Sequence, residues 1–107
     1  MFRHVVMIGF TEEATEDQKQ ALRDGLTALP ERIPEIRAYR IGDDAGLAPD
    51  NYDLVVVGDF DDRDGYRAYV DHPVHQELIK NLLRPIQARR AAVQHEWVTA
   101  LPTDLPA

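Results

Sequence analysis

Residues 2–10, FRHVVMIGF, narrow the possible folds more than any other segment. Side chains along a strand point alternately to opposite faces. His4, Val6, Ile8 and Phe10 then share one face, while Arg3, Val5, Met7 and Gly9 share the other. Both faces are largely apolar, so a strand here has to be covered twice.

The rest of the chain supplies one of those covers. Thr15 followed by Gln18 reads as a capping box, with Glu16 and Asp17 in the first turn, where the helix dipole favours acids. Leu22, Leu26 and Leu29 follow at i, i+4 and i+7 and make one core-facing stripe. Gly25 weakens that helix by about 1 kcal/mol relative to Ala, and Pro30 and Pro34 are expected to end it. Strands are expected at 36–42 (IRAYRIG) and 53–60 (DLVVVGDF), around the Gly-, Asp- and Pro-rich loop GDDAGLAPDNYD. Residues 61–87 are helical in composition. Because His72 precedes Pro73 it is pushed out of the α region, so two short helices are expected there. Residues 91–99, AAVQHEWVT, make a fourth strand, so residues 1–100 read as one domain and 101–107 as a mobile tail.

The element order β-α-β-β-α-β places the chain in the α+β class. It is the ferredoxin-like split arrangement, a four-stranded antiparallel sheet with helices on one face. The opposite face, with Arg3, Val5, Met7, Val55 and Val57, is too apolar to meet water. A second copy of the same sheet is the simplest cover, which makes the expected state an isologous homodimer.

Charge removes several partners. The 107 residues carry 12 Lys and Arg against 19 Asp and Glu, a net charge of -7. That field repels nucleic-acid phosphates and anionic membrane surfaces. No apolar run approaches the roughly 18 residues of a membrane helix, and the opening stretch lacks the long apolar core and cleavage site of a signal peptide. The chain has no cysteine, which rules out disulfides, thiolate catalysis and iron–sulfur clusters. The expected location is the cytoplasm.

Chemistry concentrates where the second helical region breaks, in YVDHPVH at 69–75. A break can aim a phenol and an imidazole into a cavity. A hydrogen-bonded pair of Tyr69 and His75 would then offer a base near pH 7 and an acid or oxyanion partner. The structural alternative is that Tyr69 packs in the core and His72 caps the second helix. His4 likewise reads either as a satisfied core histidine or as the polar end of an apolar cavity. His72 and His75 lie three apart near Asp71 and Glu77, but Pro73 spoils the helical spacing and no third ligand stands at a telling distance, so no metal is expected. The acidic loop with Asp43, Asp44, Asp50 and Asp53 lacks the calcium-loop spacing. No glycine-rich phosphate loop occurs, and the absence of serine excludes a Ser-His-Asp triad.

Taken together, FRHVVMIGF, the T-E-D-Q helix start, LPERIPEI and YVDHPVHQ resemble the stress-responsive dimeric α/β-barrel family, called Dabb. The likeness spans residues 1 to about 98. It implies a ferredoxin-like subunit that pairs sheet to sheet as a dimeric α/β barrel. A plant polyketide cyclase of that family closes a linear polyketide by aldol condensation without metal or organic cofactor. Its catalytic tyrosine and histidine correspond to Tyr69 and His75, and its first-strand pocket histidine to His4. Two further polar pocket positions correspond to Leu54 and Leu26, which implies a more apolar pocket here. The resulting expectation is a cavity for a small apolar or aromatic ligand, bounded by His4, Leu26, Leu54, Val56 and His72. Tyr69 and His75 are its catalytic pair, and no cofactor is needed. The alternatives are a non-catalytic stress-responsive or ligand-binding dimer, or a cofactor-free monooxygenase.

Overall fold

The structure is a computed structural model and describes residues 1–97. The expected tail at 101–107, with the last residues of the expected fourth strand, lies outside them. The elements are β1 (Phe2–Phe10), α1 (Glu16–Arg32), β2 (Ala38–Asp43), β3 (Leu54–Phe60), α2 (Arg63–Asp71), α3 (Pro73–Leu78) and β4 (Gln87–Glu96). A wide π-helical turn, Ile79–Leu83, and a 3-10 turn, Arg84–Ile86, join α3 to β4. The sheet order is β2-β3-β1-β4 with every neighbouring pair antiparallel. This is the ferredoxin-like α+β fold. Among the described residues no helix is long and apolar enough to cross a membrane.

The helices cover one face, as the leucine stripe requires. Leu22, Leu26 and Leu29 of α1 pack with Val6, Ile8, Leu54 and Val56 of the sheet. Helix α1 begins with the expected reciprocal cap: Gln18 N–H donates to Thr15 Oγ1 at 3.1 Å and Thr15 N–H donates to Gln18 Oε1 at 2.9 Å. It does not stop at Pro30 but runs to Arg32. A proline this close to the end removes one donor, and Ile33 N–H still closes the last turn on the Leu29 carbonyl at 2.9 Å. Strand β2 starts at Ala38 rather than residue 36. Strand β4 starts at Gln87 rather than residue 91 and ends at Glu96. Its opening residues QARR are polar and show no alternation; backbone pairing with β1, Gly9 with Arg89 and Phe10 with Gln87, makes them a strand.

The outer face of the sheet carries Val5, Met7, Val55, Val57 and Val93, of which Met7 and Val93 are exposed. One ion pair interrupts this apolar surface. Arg3 and Asp59 are cross-strand partners, joined by Nε to Oδ1 at 2.7 Å and Nη2 to Oδ2 at 2.9 Å. The Asp59 carboxylate is buried, and the Arg3 guanidinium bonded to it holds its pKa below the ordinary carboxylate value. Arg3 also lies over the Trp97 ring, 4.8 Å from its centroid.

Removing one partner strands the other's charge, whereas replacing both with apolar groups does not. Arg3→Ala is therefore expected to lower stability by about 3 kcal/mol in urea denaturation. The double replacement Arg3→Met/Asp59→Leu should recover most of that loss. A single Arg3→Ala within about 0.5 kcal/mol of the parent would show that the pair does not hold the sheet.

Candidate functional site

On the helix-covered face, a row of three residues crosses the sheet. His4 of β1 pairs with Gly58 of β3, which pairs in turn with Tyr39 of β2. A Cβ on Gly58 would come within 3.3 Å of the Tyr39 ring. A phenol from α2 settles over the row. It is Tyr69, with ring centroids 6.3 Å from His4, 6.0 Å from Tyr39 and 5.1 Å from Phe60.

The Tyr69 and Tyr39 hydroxyls are 2.8 Å apart. Burial raises both phenols, Tyr69 to about 12, while the bond from Tyr39 works in the opposite direction on Tyr69. Either hydroxyl can donate in that bond, so it commits one of the two phenol protons and leaves the other for another acceptor.

The helix break prepares the imidazole. In a continuous helix the Val74 N–H would bond to the Val70 carbonyl four residues back. Here His72 caps α3 and its Nδ1 accepts from Val74 N–H at 3.1 Å. The Val70 carbonyl is released, and it accepts from His75 Nδ1 at 3.2 Å and Gln76 Nε2 at 2.7 Å. A carbonyl only accepts, so the His75 proton sits on Nδ1 and the Nε2 lone pair is uncommitted. Burial lowers the His75 pKa, and the bond to Val70 offsets only part of that. His75 is thus neutral at pH 7, its ring centroid 4.3 Å from that of Tyr69.

His4 has the complementary arrangement. Its cross-strand partner on β4 is Gln94, whose Nε2 donates to His4 Nδ1 at 2.8 Å. The proton of the neutral ring is then on Nε2. Burial, helped by the charge of Arg90, pushes the His4 pKa down to about 4.

These groups bound a cavity of about 310 Å³ between the helices and the sheet, near the lower end of the range for small-molecule sites. His4, Leu26, Leu54, Val56, Tyr69 and His75 all line it. Two expectations need correction. His72 does not line the cavity, because its ring is used as the cap of α3. Tyr69 and His75 touch through their rings but share no hydrogen bond, because each is bonded elsewhere, to Tyr39 and to Val70. Sequence reasoning missed Tyr39, Tyr66, Arg84 and Arg90, which also line the cavity. Tyr39 was findable: it shares a strand face with Ile41, and a buried phenol there needs a partner. Tyr66 precedes Tyr69 by three on α2, on the same helix face. Arg90 fell outside the expected fourth strand. Among the described residues no three His, Asp or Glu side chains are grouped to hold a metal.

The model of the stress responsive A/B barrel domain, Dabb, matches residues 2–96. The chain belongs to the Dabb family. A stress-response A/B barrel domain-containing protein of Arabidopsis thaliana is 28% identical over 84 residues, covering 72% of this chain and 69% of its own. A dimeric ferredoxin-like protein of unknown function from Thermobifida fusca is 41% identical, with a TM-score of 0.82 and 90% of each chain covered. A hydroxynitrile lyase from Passiflora edulis shares the fold at 16% identity, with a TM-score of 0.82 over 94% of this chain and 96% of its own.

A histidine whose pKa is lower folded than unfolded stabilises the fold fully above its unfolded value, and that contribution is lost as pH falls through the folded value. For His4 the window runs from 6.5 down to about 4. The loss across it is on the order of 3 kcal/mol. Urea midpoints measured across that window should fall steeply for the parent and less so for His4→Asn. A parent curve indifferent to pH there would show that His4 is not held neutral.

Proposed function

We propose that this Dabb-family protein binds a small, largely apolar carbonyl compound in the cavity and moves a proton at the carbon beside the carbonyl. The observation that supports this most is the orientation of His75, neutral, with Nδ1 held by the Val70 carbonyl and Nε2 uncommitted. His75 Nε2 takes the proton from carbon, and Tyr69 gives its own to the developing enolate oxygen. Once Tyr69 has lost its proton, the Tyr39 hydroxyl 2.8 Å away donates to the phenolate, and the His4 Nε2–H is a second donor to the substrate. Attack of the enol on a second carbonyl of the same molecule closes a ring: the enol proton returns to the Tyr69 oxygen, re-forming the first carbonyl, and the new alkoxide takes the proton from His75, the aldol reaction of a polyketide-cyclase-like enzyme. Proton transfer through such a pair contributes roughly 10²–10⁴ in rate. The apolar wall adds the folding of the substrate into a reactive shape.

The same reading covers the outer sheet face with a second copy of the chain, through Val5, Met7, Val55, Val57 and Val93. Solved relatives described as dimeric, the Thermobifida fusca protein among them, support this. Light scattering should give a particle of twice the 12.2 kDa chain mass. Val93→Asp, at a position exposed in the single chain, should shift it to one chain mass; a parent already at one chain mass would exclude the dimer.

Catalysis is tested with benzyl methyl ketone in deuterated buffer, following deuterium entry at the CH₂ by NMR. The parent protein should speed exchange, and His75→Ala should lower the rate by about 100-fold or more. The rate should rise with pH to a plateau, with an apparent pKa below 6.5, and hold level until Tyr69 ionises near 12. Saturable binding without exchange would assign the chain to the non-catalytic, ligand-binding alternative.

A further inference from the structure

The chain is acidic overall, at -7, yet among the described residues no Asp or Glu lines the cavity, and the permanently charged residues that do are Arg84 and Arg90. Arg84 follows the π-helical turn, and Arg90 sits on β4 opposite Ile8. Both are exposed residues that also reach the cavity wall, which puts them at its mouth. Among the described residues neither is paired with an acid, which is also true of Arg32, Arg40 and Arg89, whereas Arg3, Arg23, Arg37, Arg63 and Arg67 each are; of the unpaired arginines, Arg84 and Arg90 line the cavity. The charge of Arg90 reaches inward, opposing the rise that burial imposes on Tyr66 and adding to the fall at His4. Two unneutralised guanidiniums at one opening reverse the protein's field locally. Their planar donor sets match a carboxylate.

We propose that the ligand is an oxo acid, its carboxylate held by Arg84 and Arg90 at the mouth and its carbonyl and acidic C–H presented to Tyr69 and His75. This rests on the reading of the cavity as a proton-transfer site and adds the charge and class of what enters it. The carboxylate stays bonded throughout and takes no part in the proton transfer. It orients the chain of carbons so that the carbonyl lies toward the phenol. It also selects against neutral ketones of the same shape.

Phenylpyruvate and benzyl methyl ketone differ by a carboxylate in place of a methyl group, and binding of both to the full-length protein is compared by NMR titration. Phenylpyruvate should bind at least about tenfold tighter, the size of a charge-assisted hydrogen bond to an anion. Added KCl should weaken its binding and leave the ketone's unchanged. Arg84→Gln/Arg90→Gln should abolish the preference, and Arg84→Lys/Arg90→Lys should keep part of it. Equal affinities in the parent protein, or a preference that survives the glutamine pair or ignores salt, overturns the proposal. Deuterium entry into the neutral ketone decides the role of His75 separately, since no carboxylate is involved.

Discussion

Strand β1 is hydrogen-bonded along both edges, to β3 and to β4, and both of its faces are committed. Inward it presents His4, Val6 and Ile8 to the helices; outward it presents Arg3, Val5 and Met7. A slip of one residue would exchange the two sets, moving a guanidinium into the cavity and the histidine out of it. The bidentate pair between Arg3 and Asp59 resists that slip, because the two are direct cross-strand partners and the carboxylate is buried. An ion pair on the outer face thereby keeps an imidazole in place on the inner one.

Much of this architecture was legible in the sequence. The two-sided apolar pattern of β1, the Leu22–Leu26–Leu29 stripe and the cap at Thr15 each state a local preference that the fold satisfies. What was not legible shares a cause: the signal lay in pairing rather than in pattern. The polar start of β4 is a strand only because β1 offers it partners, and the last turn of α1 tolerates Pro30 because Leu29 still finds a donor. The same holds at the site. Tyr69, His75 and His4 stand out by residue type and position, but which hydrogen bonds they make depends on Tyr39, Val70 and Gln94. These lie 30, 5 and 90 residues away along the chain.

Burial sets the electrostatics of the cavity, and hydrogen-bond partners from three different elements divide the roles. Both imidazoles lose basicity on leaving water, so both are neutral at pH 7. One is then held with its proton on Nε2 by a strand side chain, the other with its proton on Nδ1 by a freed backbone carbonyl. The two tyrosines act as a single donor, since one of their two protons is spent on the bond between them. A wall of apolar residues with one donating ring, one accepting ring and one free phenol proton is chemically asymmetric, although its residues are mostly hydrocarbon.

Pro73 does not line the cavity, yet the tautomer of His75 depends on it. Had the helix run on, Val74 would have taken the Val70 carbonyl, and the imidazole would have lost the partner that decides which nitrogen carries hydrogen. A defect in the backbone thus does what a buried carboxylate does in many other sites that hold a histidine. In this chain, what sets the His75 ring to accept a proton is the imino acid two places before it.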